Sequence, residues 1–362
     1  MKWISLAPSY DCPQGHGIAY QTCLYNMCQS LKMPFIVLFP KKNQLPSLTI
    51  PFRNYFSSHF KLFDFIRLFI QQKEPSLYFI ESFKIVDLSF LLLALLFLKR
   101  QDRFLLLFRY GLRSLCWEKW ISLFLIKGLS RYNQVHFLTD SELIAAEYEK
   151  EGGVKLQVVP IPHTHVRKQK AMRKSDKLIC YWPGEPRPSK GLSEIKQLTE
   201  RMDRERFELV AVRSSELKNA HLIKDYLTRE EYLFYLERSD LVLLPYDPLV
   251  YQKGTSGIFV EAVCLGKMPL VKEGSWLAYE LRKYELDELI VEWQDPDFFT
   301  KLEELYASEN VRKKLSWMSS EYNHFHTQAS FNDSFHKFLE MVLGKRCEPE
   351  TLLPLVPEEE EP

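Results

Sequence analysis

The chain alternates short apolar runs with longer segments in which apolar residues recur every three or four positions. Short runs bounded by turn residues predict strands, and the longer periodic segments predict crossover helices between parallel strands. In the first half, the predicted strands are 3–7, 35–39, 76–80, 104–108 and 135–138, with a further run from 156 that meets two prolines. In the second half they are 178–181, 209–212, 241–244, 268–271 and 289–291. This alternation indicates an α/β protein with parallel sheets.

A polar, basic stretch separates the two halves. It contains the predicted linker, 166–176, between an N-terminal domain, 1–165, and a C-terminal domain, 177–345. A length of 362 residues favours two domains, because single hydrophobic cores stop growing below that size. The last helices of the chain can cross back to the first domain. The tail, 346–362, is acidic and rich in proline, which is typical of disorder.

Two apolar segments in the first half bear on membranes. The run 88–98 is uncharged but too short to span a bilayer, which takes about 20 apolar residues. It predicts a buried helix or a surface that touches a membrane. Residues 52–73 interleave phenylalanines with basic residues. They predict an amphipathic helix that packs on the core with its cations extended to water, or one that lies in a membrane interface.

Composition narrows the class of protein. The net charge of +1 argues against a dedicated nucleic-acid binder, which would carry a strongly basic domain. The seven cysteines are scattered, without CxxC pairs or His partners at zinc spacing, and indicate a reducing compartment. No signal peptide is evident at the N-terminus, so we expect a cytoplasmic protein. No metal site is predicted.

The segment 243–271, LLPYDPLVYQKGTSGIFVEAVCLGKMPLV, carries the most informative chemistry. It predicts a strand, a polar loop that ends in Gly254-Thr255-Ser256-Gly257, a helix that includes Glu261, and a second strand. Amide groups at a helix N-terminus attract anions, and a carboxylate one turn further can accept hydrogen bonds from sugar hydroxyls. Phosphate bound by amides beside a ribose bound by a carboxylate is typical of nucleotide recognition.

A second motif precedes the first by roughly 70 residues, a spacing expected for successive βα units. Residues 178–192, LICYWPGEPRPSKGL, predict a strand, a turn at Gly184 and a helix that starts near Gly191. Arg187 and Lys190 in this turn suit a diphosphate leaving group, since charge-assisted contacts strengthen as negative charge develops.

Together the two motifs resemble those of retaining GT-B glycosyltransferases, in particular glycosyltransferase family 4. Glu261-Ala262, Gly266 and 269–271 match the second half of the family's donor-binding motif, and 184–191 is similar to its Gly-x-x-Arg-x-x-Lys-Gly segment. The family's first acidic residue is absent, and Lys253 stands eight positions before Glu261. The resemblance implies two Rossmann-like doubly wound domains that face a cleft.

The resemblance also implies a function for these residues. Arg187 and Lys190 would neutralise the donor diphosphate in place of a metal ion, and Glu261 would bind the ribose. Tyr251, Thr255, Ser256 and Gly257 would complete the donor site, the last two through backbone amides. No cofactor is implied beyond the nucleotide-sugar co-substrate.

The N-terminal half holds the remaining candidates. After the first strand, Gly15-His16-Gly17 leads into a predicted helix. In the family that the chain resembles, a glycine-rich loop at this place approaches the donor phosphates or the acceptor, and His16 could donate to an oxygen. The alternative is a plain tight turn. Arg109 follows a predicted strand, where it suits an anionic ligand or a salt bridge. Asp140 is interpreted as a helix cap rather than a catalytic acid.

These features predict a hexosyltransferase that moves a sugar from a nucleoside-diphosphate sugar to a glycan, lipid-linked or other acceptor, with retained anomeric configuration. Biosynthesis of cell-envelope glycans and peripheral contact with the cytoplasmic membrane face fit this prediction. Two alternatives stay open: a catalytically inactive nucleotide-sugar-binding protein, suggested by Lys253, and a nucleotide-sugar epimerase.

Overall fold

The computed structural model describes residues 1–8, 16–41, 50–57, 61–81, 83–97, 101–112, 116–162, 176–213, 217–224 and 227–343. The chain divides into two compact units: unit 1 is Met1–Pro162 with Gln328–Pro362, and unit 2 is His163–Thr327. Most of the predicted linker and the whole predicted tail lie outside the described residues.

Unit 1 is built on a seven-stranded parallel sheet with the strand order β3-β2-β1-β4-β5-β6-β7. Its strands are β1 (Lys2–Leu6), β2 (Phe35–Pro40), β3 (Phe52–Phe56), β4 (Ser76–Ile80), β5 (Arg103–Phe108), β6 (Val135–Thr139) and β7 (Gln157–Val158). Its helices are α1 (His16–Ser30), α2 (Lys61–Gln71), α3 (Ile85–Ala94), α4 (Cys116–Leu129), α5 (Glu142–Gly152) and, from the end of the chain, α13 (Gln328–Leu343). The strand order reverses between β1 and β4, so unit 1 is doubly wound.

Alternate residues of these strands face two separate cores. Trp3 and Phe79 lie in a core with α1 and with Phe331 and Phe335 of α13. The intervening positions, such as Tyr78, lie in a second core with α2, α3, α4 and α5. Because both faces of the sheet are buried, its strands are continuously apolar instead of alternating.

Unit 2 contains a five-stranded parallel sheet with the order β10-β9-β8-β11-β12, which reverses between β8 and β11. Its strands are β8 (Leu178–Trp182), β9 (Phe207–Val212), β10 (His221–Ile223), β11 (Leu241–Leu244) and β12 (Met268–Val271). Its helices are α6 (Leu192–Arg201), α7 (Arg229–Arg238), α8 (Pro248–Tyr251), α9 (Gly257–Cys264), α10 (Trp276–Arg282), α11 (Phe298–Ala307) and α12 (Glu309–Phe325). The predicted α/β class with two parallel sheets is confirmed.

Two predictions of local structure are wrong. Residues 52–73 do not form one helix: 52–56 is strand β3 at the edge of the sheet, and α2 begins at Lys61. The predicted strand 289–291 is reduced to a single bridge between Val271 and Ile290, because Asp287–Leu289 forms a 3-10 turn that ends there. In both segments the side-chain pattern alone did not distinguish a short strand from a neighbouring helical turn.

Within the described part of the chain, no helix is long and apolar enough to cross a membrane. Within the run 88–98, residues 88–94 form the last seven residues of α3, Leu95–Phe97 forms a 3-10 turn, and residue 98 lies outside the described residues. Leu88, Leu91 and Leu95 of this run are buried, whereas Leu93 and Leu96 are exposed.

Candidate functional site

The two sequence motifs lie on neighbouring strands of unit 2. The first motif connects β8 to α6, and the second connects β11 to α9. β8 and β11 pair directly, with Leu241 opposite Cys180, and the strand order reverses between them. In open α/β sheets, ligands bind outside the carboxyl ends of the strands at such a reversal. The fold therefore brings both motifs to one edge of one sheet.

The two connecting loops touch at Gly191. This residue has φ +81°, and a Cβ atom added to it would overlap the carbonyl oxygen and ring of Pro245. The amide of Asp247 also donates to the carbonyl oxygen of Ser189 at 3.1 Å. Glycine is required here because no other residue allows both the left-handed conformation and the close approach.

Lys190 is a buried cation between these loops. It is 9% exposed, and its Nζ lies 5.8 Å from the centre of the Tyr246 ring. A Cβ atom on Gly184 would lie 2.5 Å from this Nζ and 3.4 Å from Cδ1 of Ile258 in α9. Gly184 thus leaves room for the ammonium group beside the start of α9.

The charge of Lys190 is poorly compensated. Burial, and then the charge of Arg187, lower the pKa of the Lys190 ammonium to about 8, although Glu185 acts in the opposite direction. Its side chain makes no ion pair with any residue that the structure describes. A buried ammonium without a carboxylate partner is unfavourable on its own, so an anionic ligand at this place would stabilise it.

Arg187 is the second cation of this motif. It is exposed and precedes the 3-10 turn Pro188–Lys190 in an extended conformation. Burial raises the pKa of the Tyr246 hydroxyl, whereas a hydrogen bond with Ser256 and the positive charge of Arg187 act against that rise. Arg187, Lys190, Tyr246 and Ser256 therefore form one local cluster.

The start of α9 completes the cluster. Ser256 is the N-cap residue, and its Oγ accepts a hydrogen bond from the amide of Phe259 at 3.3 Å. Helix geometry leaves the amides of a first turn without intrahelical acceptors. Thr255 and Gly257 on either side are buried. Tyr251 lies at the end of α8, and its ring centre is 4.5 Å from that of Tyr246.

Glu261, the fifth residue of α9, is buried and held by two residues of α7. Its Oε2 accepts a hydrogen bond from the Tyr232 hydroxyl at 2.7 Å, and its Oε1 lies 2.7 Å from Nη2 of Arg229. The guanidinium of Arg229 also lies over the Tyr232 ring, 5.3 Å from its centre. Glu261 is thus a buried carboxylate fixed in position by two neighbouring side chains of α7.

Sequence reasoning missed Arg229 and Tyr232. The detectable signal was the start of α7, where Thr228 and Glu231 form a capping box. That box predicts a helix but not its direction toward Glu261, which depends on how α7 packs beside β8.

The N-terminal candidates lie in unit 1. Gly15 is outside the described residues, and His16 and Gly17 form the first turn of α1. Arg109 follows β5 and makes the salt bridge that was one of its two expected roles, with its Nε 3.3 Å from Oδ2 of Asp140. Asp140 precedes α5 but does not cap it, since Ser141 is the N-cap residue.

The chemistry of the unit 2 cluster is that of an anion site beside a buried carboxylate. Among the described residues, no group of three or more His, Cys, Asp or Glu side chains could hold a metal ion. Positive charge in the cluster comes from Lys190 and Arg187, and the polar groups around them come from Tyr246, Ser256 and the first turn of α9.

No protein-family model matches the chain, and no curated protein matches its sequence. Solved structures do match. An α,α-trehalose-phosphate synthase (UDP-forming) from Burkholderia xenovorans, in complex with glucose-6-phosphate, is 11% identical with a TM-score of 0.64 over 94% of this chain and 100% of that chain. S. aureus MnaA in complex with UDP is 13% identical, with a TM-score of 0.60 over 95% and 97%.

An α-glucosyltransferase, in complex with UDP-glucose and DNA that contains an abasic site, is 12% identical, with a TM-score of 0.56 over 94% of this chain and 99% of that chain. These likenesses extend over nearly the whole of both chains and join two parallel-sheet units in one architecture. The chain therefore has the GT-B fold, with two Rossmann-like units.

Proposed function

We propose that the chain is a glycosyltransferase that moves a hexosyl group from a nucleoside-diphosphate sugar to a glycan, lipid-linked or other acceptor. The observation that carries this proposal is the buried, unneutralised Lys190, which lies with Arg187 beside the start of α9 at the reversal point of the unit 2 sheet. The α-glucosyltransferase in complex with UDP-glucose and the UDP-forming trehalose-phosphate synthase, both of similar fold, support it by analogy.

In this proposal, unit 2 binds the donor. Lys190 and Arg187 contact the diphosphate, together with the amides at Ser256 and Gly257. Glu261 accepts hydrogen bonds from the ribose hydroxyls, and Arg229 and Tyr232 hold its carboxylate in place. Tyr251 and Thr255 border the same pocket.

The reaction would be driven by stabilisation of the leaving group. The bond from the anomeric carbon to the diphosphate breaks, a bond to the acceptor oxygen forms, and the acceptor proton is released with the nucleoside diphosphate. Negative charge grows on the departing phosphate, so the contacts with Lys190 and Arg187 strengthen toward the transition state. These cations do the work that a metal ion would otherwise do, and we propose a metal-independent reaction. Retention of configuration follows from the family 4 resemblance, and His16 would donate a hydrogen bond to an oxygen of the donor phosphates or the acceptor.

The first experiment measures thermal stabilisation of the purified chain by UDP-, GDP- and CMP-sugars, with Glu261→Ala alongside. We expect one donor to raise the melting temperature of the wild type but not of the variant. Transfer is then followed by NMR, in which the coupling constant of the new anomeric proton reports retention or inversion. A folded chain that no donor stabilises would contradict the proposal.

Two other functions are tested by the same samples. Lys253 in place of the usual acid is the reason to consider an inactive binding protein, which would bind a donor without turnover. The UDP-N-acetylglucosamine 2-epimerase of similar fold, 12% identical with a TM-score of 0.58, is the reason to consider an epimerase. An epimerase would interconvert the free nucleotide sugar in the absence of any acceptor.

We also propose that the chain works in the cytoplasm, on the membrane face where cell-envelope glycans are assembled. Four described cysteines, Cys23, Cys28, Cys180 and Cys264, are buried thiols outside any disulfide, which suits a reducing compartment. The proposed membrane contact is a surface of unit 1 that we call the α4 stripe, made of Trp117, Trp120, Ile121 and Phe124.

The α4 stripe has the chemistry of a lipid interface. Its four residues recur at helical spacing on one side of α4 and are exposed, Trp117 by 62% and Phe124 by 73%. The basic residues Lys127 and Arg131 beside it are exposed as well. Aromatic residues flanked by cations favour the headgroup region of a bilayer with anionic lipid.

A further inference from the structure

A second polar cluster lies in unit 1, at the reversal point of its own sheet. Glu81 directly follows β4, which pairs with β1 where the strand order reverses. Arg109 and Asp140 follow the next strands, β5 and β6. Tyr20 and Gln21 on α1 approach from the adjacent connection. These five side chains therefore gather where ligands of open α/β sheets bind.

Two of these side chains are deeply buried and form no hydrogen bonds with the residues that the structure describes. Glu81 is 5% exposed and Gln21 is 1% exposed. Both carboxylate oxygens of Glu81, and both polar atoms of the Gln21 amide, have no hydrogen-bond partner among the described residues. Oδ1 of Asp140 also has no hydrogen-bond partner among the described residues, although its Oδ2 accepts a hydrogen bond from the Tyr20 hydroxyl at 3.1 Å. A buried polar group without a hydrogen-bond partner is unfavourable, so a ligand that supplies the partner is stabilised here.

The members of the cluster interact electrostatically. Burial raises the pKa of the Glu81 carboxyl to about 7, Arg109 and Gln21 oppose the rise, and Asp140 adds to it. Gln21 is thus near the Glu81 carboxyl, although the two do not reach hydrogen-bond geometry. Arg109 is already paired with Asp140 and lies over the Tyr20 ring, 5.5 Å from its centre.

The unsatisfied atoms define the chemistry of a ligand. They include acceptors on Glu81, Asp140 and Gln21 and donors on Gln21. An anion would meet two carboxyl groups, and a cation would meet the Arg109 guanidinium. A hydroxyl group both donates and accepts, so adjacent hydroxyls satisfy both kinds of atom without a new charge.

We propose that Glu81 and Gln21 bind the hydroxyl groups of a neutral sugar at this edge of unit 1, with Asp140 and Arg109 at the border of the site. If the chain is the transferase proposed above, this sugar belongs to the acceptor. That identification rests on the proposed function, whereas the site itself does not.

The test is saturation-transfer NMR on the full chain with the methyl glycosides of glucose, galactose, mannose and N-acetylglucosamine. At least one is expected to bind, and Glu81→Gln is expected to weaken its binding roughly tenfold or more, since it removes a hydrogen bond to a charged group. Glu81→Gln keeps the side-chain shape and removes a buried charge, so the variant folds. Gln21→Leu is expected to weaken binding as well.

The matched control is Glu280→Gln, which changes a buried carboxylate of unit 2 that is hydrogen-bonded to Tyr322. It should bind the glycoside like the wild type. No binding of any glycoside, or unchanged binding in both Glu81→Gln and Gln21→Leu, would overturn the inference.

Nucleotide-sugar binding in the same variants separates the two proposals. Binding of a methyl glycoside through Glu81 without binding of a nucleotide sugar would support the sugar site and contradict the proposed transferase function. Binding of a nucleotide sugar without binding of any glycoside would support the proposed transferase function and contradict the sugar site.

Discussion

Lys190 shows at the scale of one residue how the proposed donor site lowers the stability of the free chain. Its ammonium is buried against the Tyr246 ring, and the nearby Glu185 carboxylate offsets its charge only in part. The pKa of this group falls from 10.5 to about 8, because the folded chain disfavours its charged form. Such an arrangement persists where a ligand supplies the missing charge.

We therefore expect Lys190→Met to stabilise the free protein and weaken donor binding. The free energy of unfolding at pH 7 should rise by about 1–3 kcal/mol, since the variant no longer buries a charge. Urea unfolding measures the first effect and calorimetric titration with UDP the second. A variant that is less stable and still binds UDP would assign Lys190 to the structure alone.

The same pKa sets the pH dependence of donor affinity. Above about pH 8, free Lys190 loses its proton, and a bound diphosphate must restore it. The dissociation constant for UDP should therefore rise by up to roughly tenfold per pH unit above 8. Lys190→Ala is the control, and its weaker binding should lack this slope; an equal slope would place the titrating group elsewhere.

Glu81 makes stability depend on pH in the direction opposite to Lys190, because the folded chain raises the pKa of Glu81 and lowers that of Lys190. Its pKa in the folded chain, about 7, lies above the usual value of 4.5, so its contribution is present below pH 4.5 and is lost as pH rises to 7. Glu81→Gln should remove this loss. Its stability advantage over the wild type should grow by roughly 3 kcal/mol between pH 4.5 and 8, measured by urea unfolding. An advantage that does not change with pH would contradict the raised pKa.

Gly191 acts at the scale of elements, because it lets the β8–α6 connection contact the β11–α8 connection. Gly191→Ala should lower the free energy of unfolding by about 3 kcal/mol or more, since both the φ of +81° and the contact with Pro245 oppose a Cβ atom. Gly266→Ala is the matched control: φ is +67°, but no atom lies within 4 Å of its added Cβ. It should cost about 1 kcal/mol. Equal losses in the two variants would show that the contact is not tight.

The α4 stripe is also a property of an element. Trp120→Ser with Phe124→Ser should reduce cosedimentation with vesicles that contain anionic phospholipid, because both exposed rings would leave the interface. Phe63→Ser is the control, since Phe63 is exposed on α2, in the alternative segment 52–73. If only the control loses binding, α2 and not α4 touches the membrane. If the wild type does not bind vesicles, the proposed contact is wrong.

Strands and helices were predicted correctly where residues close together in the chain mark them. Ser76–Ile80, Leu241–Leu244 and Met268–Val271 form strands within the predicted bounds, and Ser141 and Gly153 delimit α5. Edge strand β3 was missed because its residues are largely exposed, so they lack the apolar pattern of a central strand. The short β10 was missed for the same reason.

At the scale of the whole molecule, the sequence allowed the last helices to cross back to the first domain, but only the tertiary structure assigns α13 to unit 1. The chain returns from unit 2 to unit 1 at Gln328, and α13 buries Phe331 and Phe335 against the unit 1 sheet. The amphipathic pattern of α13 predicts that one side is buried but does not say against which sheet.

The sequence by itself determined the α/β class, the two parallel sheets, and the residue types of the donor motifs, because strand and helix periods, glycine turns and helix caps act between near neighbours. Only the tertiary structure decided that β8 lies beside β11, that Arg229 and Tyr232 hold Glu261, and that Glu81 and Gln21 share a buried site with Arg109. Those contacts join residues far apart in the chain, and burial, which sets the charge state of Lys190 and Glu81, exists only once the sheets have formed.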